Sequence, residues 1–301
     1  MNFSVNFKIA HFSDLHLGPL PPGAAFHAFK FKRLLGALSW HYRRKHIHSG
    51  NVAEALLQDI HAAKPNHVAF TGDAANVASP LEFPRLRQWL DRLGQPDWIS
   101  FTPGNHDAYV KVPHEKGLMF FTPFMEGDMR QDEMFPYVRL RRNIAMVGLN
   151  SAVPRWYHSA QGKLGLKQRM ALRQRLAELR AKGFYRLVMI HHPPGPGLAT
   201  HLRALEDAPE LRDILCEEGV ELVIHGHNHR RMFNWLEKGH ARVPAIGVPS
   251  ASSAEAHHPA EWNLYTIFRA GGRWRTDVEI RRWDVSQSKF NAVEKFAVDV
   301  S

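Results

Sequence analysis

Five short blocks of this sequence bring together side chains that bind metal ions and activate water. Asp14 with His16, and His227 with His229, are pairs separated by one residue, so each pair projects to one side of an extended chain. Their oxygen and nitrogen donors suit Mn, Fe or Zn and differ from a structural zinc site built on thiolates. The Asp73 carboxylate has two oxygens and can bridge two ions. The blocks are Asp14-Leu15-His16, Gly72-Asp73, Gly104-Asn105-His106-Asp107, His191-His192-Pro193-Pro194 and Gly226-His227-Asn228-His229.

Alternating strands and helices are needed to position these blocks. Strands are predicted over 7–13, 67–71, 98–102, 144–149, 187–190, 222–224, 243–248, 264–268 and 274–283. Helices are predicted over 51–63, 80–93, 166–182 and 210–218. Ligands of open α/β sheets bind beyond the carboxyl ends of strands, and each block follows such an end. The pattern predicts two packed sheets with helices outside, in a single α/β domain spanning 1–301.

In this order and spacing, the five blocks resemble the calcineurin-like metallophosphoesterase superfamily over residues 7 to about 250. The similarity is to its binuclear phosphodiesterase branch, including bacterial intracellular phospholipase C-like members. It implies a four-layer α/β/β/α sandwich of two mixed sheets and two divalent ions. By the resemblance, Asp73 bridges the ions, and His106 lies near the leaving-group oxygen. One ion is then held by Asp14, His16 and His229, and the other by Asn105, His191 and His227.

The resemblance also implies a mechanism. A hydroxide that bridges the metals attacks phosphorus in line, while His106 donates a proton to the departing oxygen or stabilises its charge. Many members have Gly-Asp-x-x-Asp, whereas this chain has Asn76 at the last position. An asparagine can orient His106 but adds no negative charge, which predicts a weaker general acid and a preference for good leaving groups or diesters. Asn76, His192 and Tyr109 are the candidate substrate contacts, and Asp107 is expected to be structural.

The chain has 301 residues and a formal net charge of +10, of which six positive charges lie in one segment without acids between Leu15 and Ala53. The segment 19–50 is therefore predicted to be a basic amphipathic insertion over the active site. Its helix either packs its apolar stripe on the core or contacts a membrane. The apolar loop 117–125 is expected to reach the same rim. The candidate membrane contacts are Phe31, Leu34, Leu35, Leu38, Arg43 and Arg44.

Three functions remain open from the sequence. The first is hydrolysis of phospholipid headgroups at a membrane surface, and the second is hydrolysis of cyclic nucleotides. The third is a non-enzymatic metal-binding scaffold or nucleic-acid-binding module, although no base-reading motif is present and no nucleic-acid partner is expected. One cysteine, Cys216, and no spanning apolar run predict a cytoplasmic protein, with or without peripheral attachment to the inner membrane. The segment 285–301 is expected to be a C-terminal tail.

Overall fold

Two six-stranded mixed sheets form the centre of the molecule. In this computed structural model, residues 6–24, 31–129, 133–156 and 158–299 are described. The first sheet contains β1 (Phe7–Phe12), β2 (His67–Phe70), β3 (Ile99–Phe101), β10 (Glu261–Ala270), β11 (Arg273–Asp284) and β12 (Lys289–Asp299). Its strand order is β12-β11-β10-β1-β2-β3, with β1, β2 and β3 parallel and the other pairings antiparallel.

The second sheet places its parallel strands at the centre and an antiparallel strand at each edge. Its order is β4-β5-β6-β7-β9-β8, in which β5, β6, β7 and β9 run parallel. The strands are β4 (Tyr137–Arg141), β5 (Ile144–Gly148), β6 (Tyr185–Met189), β7 (Leu222–His225), β8 (Met232–Lys238) and β9 (Ala241–Gly247).

Helices cover the outer face of each sheet. The helices are α1 (Phe31–Ser39), α2 (Lys45–Ile47), α3 (Gly50–Ala63), α4 (Phe83–Leu93), α5 (Gly165–Ala181) and α6 (Ala208–Glu218). On α3, Leu56 and Ile60 are buried at helical spacing against the first sheet, and on α5, Leu172 and Leu176 are buried against the second. Between the sheets lies a third apolar cluster that includes Ile9 and Leu187. These layers confirm the predicted α/β/β/α sandwich.

Three strands lack a counterpart in the predicted pattern, namely β4, β8 and β12. Within the predicted C-terminal tail, residues 289–299 form β12, which pairs with β11 and buries Phe290 and Val298. The helix predicted from residue 80 begins at Phe83. The loop 117–125 does not form a rim at the active site. Phe121 and Phe124 are fully buried in the core of the first sheet, because β3 and α4 leave an apolar space there.

The insertion is helical, but its helix turns a polar side toward the body, whereas the packing alternative predicts that the apolar side lies there. Arg33 is 1% exposed and lies against the body, whereas Phe31 and Leu38 are 65% and 45% exposed. Leu34 and Leu35 are half-buried. The apolar stripe therefore does not pack on the core. Residues 25–30 of the predicted insertion lie outside the described residues. Among the helices that the structure describes, none is both long and apolar enough to cross a membrane.

Candidate active site

The predicted ligands converge where strands of both sheets end. Asp14, His16, Asp73, His227 and His229 all have positive φ values, from 41° to 73°, in the region that favours glycine. Such backbone strain is concentrated at functional sites, because it turns consecutive side chains toward one point.

Hydrogen bonds between the strand ends hold this backbone in place. The amide of Asp14 donates to the Gly72 carbonyl at 2.9 Å, and that of His227 donates to Asp14 Oδ2 at 2.9 Å. The second bond joins the two sheets at the site. At Gly226, an added Cβ would lie 2.4 Å from Asp14 Oδ2, so only glycine permits the approach.

One cluster gathers Asp14, His16, Asp73 and His229. His16 Nε2 lies 3.2 Å from His229 Nε2, and Asp14 Oδ1 lies 3.0 Å from the same His229 nitrogen. His16 Nδ1 donates to the Ala75 carbonyl at 3.1 Å, which leaves Nε2 with its lone pair toward the cluster.

A second cluster gathers Asn105, His191 and His227 around the other side of Asp73. His191 Nδ1 donates to the Thr71 carbonyl at 2.7 Å, so its Nε2 lone pair faces Asn105 Oδ1 at 3.1 Å and Asp73 Oδ2 at 3.4 Å. His227 Nε2 donates to the Arg203 carbonyl at 2.9 Å, and its Nδ1 lies 3.3 Å from His191 Nε2. The seven predicted ligands therefore form two groups that share Asp73.

The chemistry of both clusters fits bound cations. Lone pairs face lone pairs across each cluster, and the buried Asp14 Oδ1 accepts no hydrogen bond from the described residues. Burial opposes a charge on His191, yet Asp73 and Asp14 raise its pKa to about 9, because their negative charge favours a cation at this point, either a proton on Nε2 or a metal ion in its place. Divalent ions held by these two groups would act as Lewis acids toward phosphoryl oxygens.

His106 lies beside His16 of the first cluster, with ring centroids 4.8 Å apart, and is oriented by the main chain. Its Nδ1 donates to the Asn76 carbonyl at 2.6 Å, and its amide donates to Asp73 Oδ1 at 2.7 Å. Burial and the charge of Arg44 lower the pKa of His106 to about 3, against the charge of Asp73. The Asn76 side chain donates to the Leu17 carbonyl at 3.1 Å, so residue 76 orients His106 through its main-chain carbonyl and not through its side chain.

The other two candidate substrate contacts differ in their placement. Tyr109 stacks on His106 with ring centroids 5.1 Å apart and lines the same cavity. His192 is fully buried, and its two ring nitrogens contact Ser151 Oγ at 2.7 Å and the Ala160 carbonyl at 3.0 Å. His192 therefore supports the loop that contains these residues and has no nitrogen left for substrate, which corrects the sequence-based expectation.

Asp107 is structural, as expected. Its carboxylate accepts hydrogen bonds from the amides of Asp73 at 2.8 Å and Ala75 at 2.9 Å, and from Gly104 at 2.9 Å. Burial and the charge of Asp73 raise its pKa to about 7. This carboxylate thus joins the loop after β2 to the loop after β3 and fixes Asp73 between the two metal clusters.

Two residues of the insertion lie at the active site although the sequence analysis did not place them there. Arg44, expected at a membrane, points inward, with Nη2 2.8 Å from His16 Nδ1. The His48 ring lies 4.6 Å from the His16 ring, and nitrogens of His16, His48 and His229 lie within 4.8 Å of one another. The available signal was position alone, because the insertion directly follows His16.

A small cavity opens over the clusters. Its volume is about 270 Å³, and it is bordered by ligands, by His106 and Tyr109, and by two arginines. The lining residues are Gly36, Ser39, Arg44, Asp73, Asn105, His106, Tyr109, Ala160, Arg203, His227 and His229. A compact anion can thus reach both metal clusters from the side on which α1 lies.

Comparisons with known proteins agree with this geometry. The family model described as calcineurin-like phosphoesterase matches residues 7–231. A Synechococcus protein named "Probable cyclic nucleotide phosphodiesterase" is 26% identical over 231 residues, covering 75% of this chain and 81% of that protein. A Mycobacterium tuberculosis protein named as a cAMP/cGMP dual specificity phosphodiesterase is 25% identical over 230 residues, covering 74% of this chain and 62% of that protein.

Solved structures show the same fold at low sequence identity. A dimetal phosphatase from Danio rerio superposes with a TM-score of 0.69 at 13% identity, covering 98% of this chain and 99% of that chain. A purple acid phosphatase from yellow lupin superposes with a TM-score of 0.62 at 11% identity, covering 99% of this chain and 54% of that chain.

Proposed function

This chain belongs to the calcineurin-like phosphoesterase family, and from that membership we propose that it hydrolyses phosphodiesters of amphiphilic molecules at a lipid surface. The membership confirms the prediction of a metal-dependent hydrolase of phosphoric esters that uses two divalent ions. Mn, Fe and Zn are the ions that suit its donor set. The observation that supports an amphiphilic substrate is the exposed apolar side of α1 directly beside the cavity.

The two sides of α1 face different surroundings. Gly36 and Ser39 line the cavity above the metal clusters, whereas Phe31 and Leu38 of the same helix are 65% and 45% exposed. An α-helix is about 10–12 Å wide, so apolar surface lies within about that distance of the phosphoryl site. Exposed apolar surface beside a polar site is typical of proteins that bind lipid or protein surfaces.

Aromatic and basic residues extend this surface. Tyr42 follows α1 and is 77% exposed. Trp156 is also 77% exposed and adjoins Arg155, whose carbonyl accepts a hydrogen bond from Lys32 Nζ at 3.0 Å. Arg43 is exposed beside Tyr42. Aromatic side chains with neighbouring cations suit the headgroup region of an anionic membrane.

Cyclic nucleotides are the second candidate substrate. Two relatives that match about three quarters of this chain carry that activity in their names. The cavity of about 270 Å³ also admits a compact diester without any lipid surface. In this alternative the exposed side of α1 has no role in turnover.

The experiment supplies Mn²⁺ and measures headgroup release from vesicles of phosphatidylglycerol and phosphatidylcholine. In parallel it measures turnover of cyclic AMP and of bis-p-nitrophenyl phosphate, with Asp73→Asn as the inactive blank. The double variant Phe31→Ser, Leu38→Ser is compared with Leu166→Ser, which changes an equally exposed leucine on α5.

Loss of two apolar contacts predicts a fall of roughly 10- to 100-fold in vesicle turnover for the double variant. Hydrolysis of bis-p-nitrophenyl phosphate should stay within about twofold, because neither residue lines the cavity. Turnover of cyclic AMP without vesicle binding or headgroup release would favour the second candidate and reject the first.

A further inference from the structure

Arg44 places a guanidinium inside the phosphoesterase site from the insertion. It is the last residue of the π-helical turn Trp40–Arg44, which continues α1. Nη2 lies 2.8 Å from His16 Nδ1, and Nη1 lies 3.3 Å from His106 Nδ1. Arg44 thus contacts both His16, a ligand of the first metal cluster, and the neighbouring His106.

Neither neighbouring nitrogen can satisfy this guanidinium. His16 Nδ1 lies 3.1 Å from the Ala75 carbonyl, and His106 Nδ1 lies 2.6 Å from the Asn76 carbonyl. Because a carbonyl only accepts, each of these ring nitrogens must donate its hydrogen there and cannot accept one from Arg44. With both ring nitrogens donating to carbonyls, the two N–H groups of Arg44 that face them have no acceptor there.

The charge of Arg44 is not paired either. In the part of the chain that the structure describes, no carboxylate forms an ion pair with it, although Asp73 lines the same cavity. Arg281 shows the contrast, since its guanidinium is held by both oxygens of Asp59 at 2.8 Å. A partly buried cation whose neighbouring carboxylates lie beyond ion-pair distance is unfavourable, and an anion in the cavity would relieve that cost.

We propose that Arg44 binds a non-bridging oxygen of the substrate phosphoryl group through charge-assisted hydrogen bonds. A guanidinium presents several N–H groups in one plane, which matches the geometry of a phosphate. With Asn76 in place of an aspartate, the loop after β2 contributes no negative charge at that position to neutralise Arg44. The insertion is then part of the active site and also determines affinity for anions.

The experiment measures binding of inorganic phosphate to the Mn²⁺-saturated protein by calorimetry. Arg44→Gln and Arg44→Lys are compared with Arg43→Gln, which removes the same charge from the exposed neighbouring position. Metal content of every variant is measured first. Kinetics on bis-p-nitrophenyl phosphate then separate KM from kcat.

Arg44→Gln should weaken phosphate binding by roughly 10- to 100-fold at unchanged metal content, because a charge-assisted hydrogen bond is lost. Arg44→Lys should restore part of the affinity, and Arg43→Gln should stay within about twofold. Equal phosphate affinity in Arg44→Gln and the unchanged protein, or an equal loss in Arg43→Gln, would overturn the proposal.

If Arg44→Gln does not fold, the comparison of Arg44→Lys with Arg43→Gln decides the same question. This inference rests on the proposed phosphodiesterase activity only in that it takes the bound group to be the phosphoryl group of the substrate. A protein that binds phosphate through Arg44 but releases no headgroup would reject the lipid surface and keep the role of Arg44.

Discussion

At the scale of single residues, His48 lies beside the first cluster in addition to the seven expected ligands. Its Nδ1 contacts Ser252 Oγ at 2.9 Å, which orients the ring and leaves Nε2 for the first cluster. The chain thus presents His48 together with His16 and His229 around one point. Histidines of this kind bind a metal directly or hold its ligands in place, and both roles raise metal affinity.

Replacing His48 by alanine should therefore weaken binding of one of the two metal ions by roughly 10- to 100-fold. Titration of the metal-free protein with Mn²⁺, followed by electron paramagnetic resonance, measures the affinity of each site. The matched control is His46→Ala, an exposed histidine two positions away. Identical titrations for His48→Ala and the unchanged protein would show that His48 is only a packing residue.

The ligands themselves were accessible from the sequence for a physical reason. Parallel strands end at one edge of a sheet, so polar residues directly after Phe12, Phe70 or Phe101 must meet there. Arg44 and His48 follow no strand, and their approach to the site depends on how the insertion folds back. Local patterns contain no information on that path.

At the scale of elements, α1 is held by its polar side. Arg33 Nη2 donates to the Ala78 carbonyl at 2.8 Å, and Nε donates to the Val77 carbonyl at 3.3 Å. Glu82 accepts the amides of Asn76 and Ser79 and fixes the same loop. At Gly36, an added Cβ would lie 2.9 Å from both Tyr109 and Val77, so the missing side chain lets the helix approach.

Arg33→Ala should detach α1 from this loop, because it leaves two buried carbonyls without donors. We expect activity on bis-p-nitrophenyl phosphate to fall at least about tenfold with metal content unchanged, since Arg44 loses its support. Limited trypsin digestion should cut faster at Arg43 or Lys45. Arg43→Ala is the control: it removes one trypsin site but should be cut at Lys45 as slowly as the unchanged protein. If trypsin cuts Arg33→Ala at Arg43 and Lys45 no faster than it cuts the unchanged protein, this role of Arg33 is contradicted.

The orientation of α1 also shows why its sequence left two alternatives open. The spacing of Phe31, Leu34 and Leu38 correctly indicates an amphipathic helix. Periodicity shows that one stripe is apolar but does not show what the stripe faces. Here the buried side consists of Arg33 and Gly36. These residues are stable in a buried position only because of the carbonyls and the Tyr109 ring that they contact. Those partners are more than 40 residues away in the chain.

At the scale of the whole molecule, buried neutral histidines make stability depend on pH. Burial, with the charges of Arg139 and Arg141, lowers the pKa of His67 well below its usual value of 6.5. Below pH 6.5 the unfolded chain binds a proton at this position, whereas the folded chain does not. The free energy of unfolding therefore falls as the pH falls through 6.5.

The contribution of His67 should be roughly 1 kcal/mol between pH 7.5 and pH 5.5. Urea unfolding of the metal-free protein at both pH values measures it, with His67→Gln expected to reduce the difference by about that amount. His240→Gln, which changes an exposed histidine, should leave the difference unchanged. A pH difference that is the same in all three proteins would contradict the assignment.

The left-handed backbone at five predicted metal ligands has a consequence for how this fold can evolve. Each such residue other than glycine costs of order 1–3 kcal/mol in the folded state, and the cost is justified only by catalysis. A descendant that no longer needed the reaction could replace His229, whose side chain is partly exposed, by glycine and gain thermal stability in the same step. The fold can therefore stay stable when the catalytic activity is lost, so non-catalytic proteins can evolve from this sandwich.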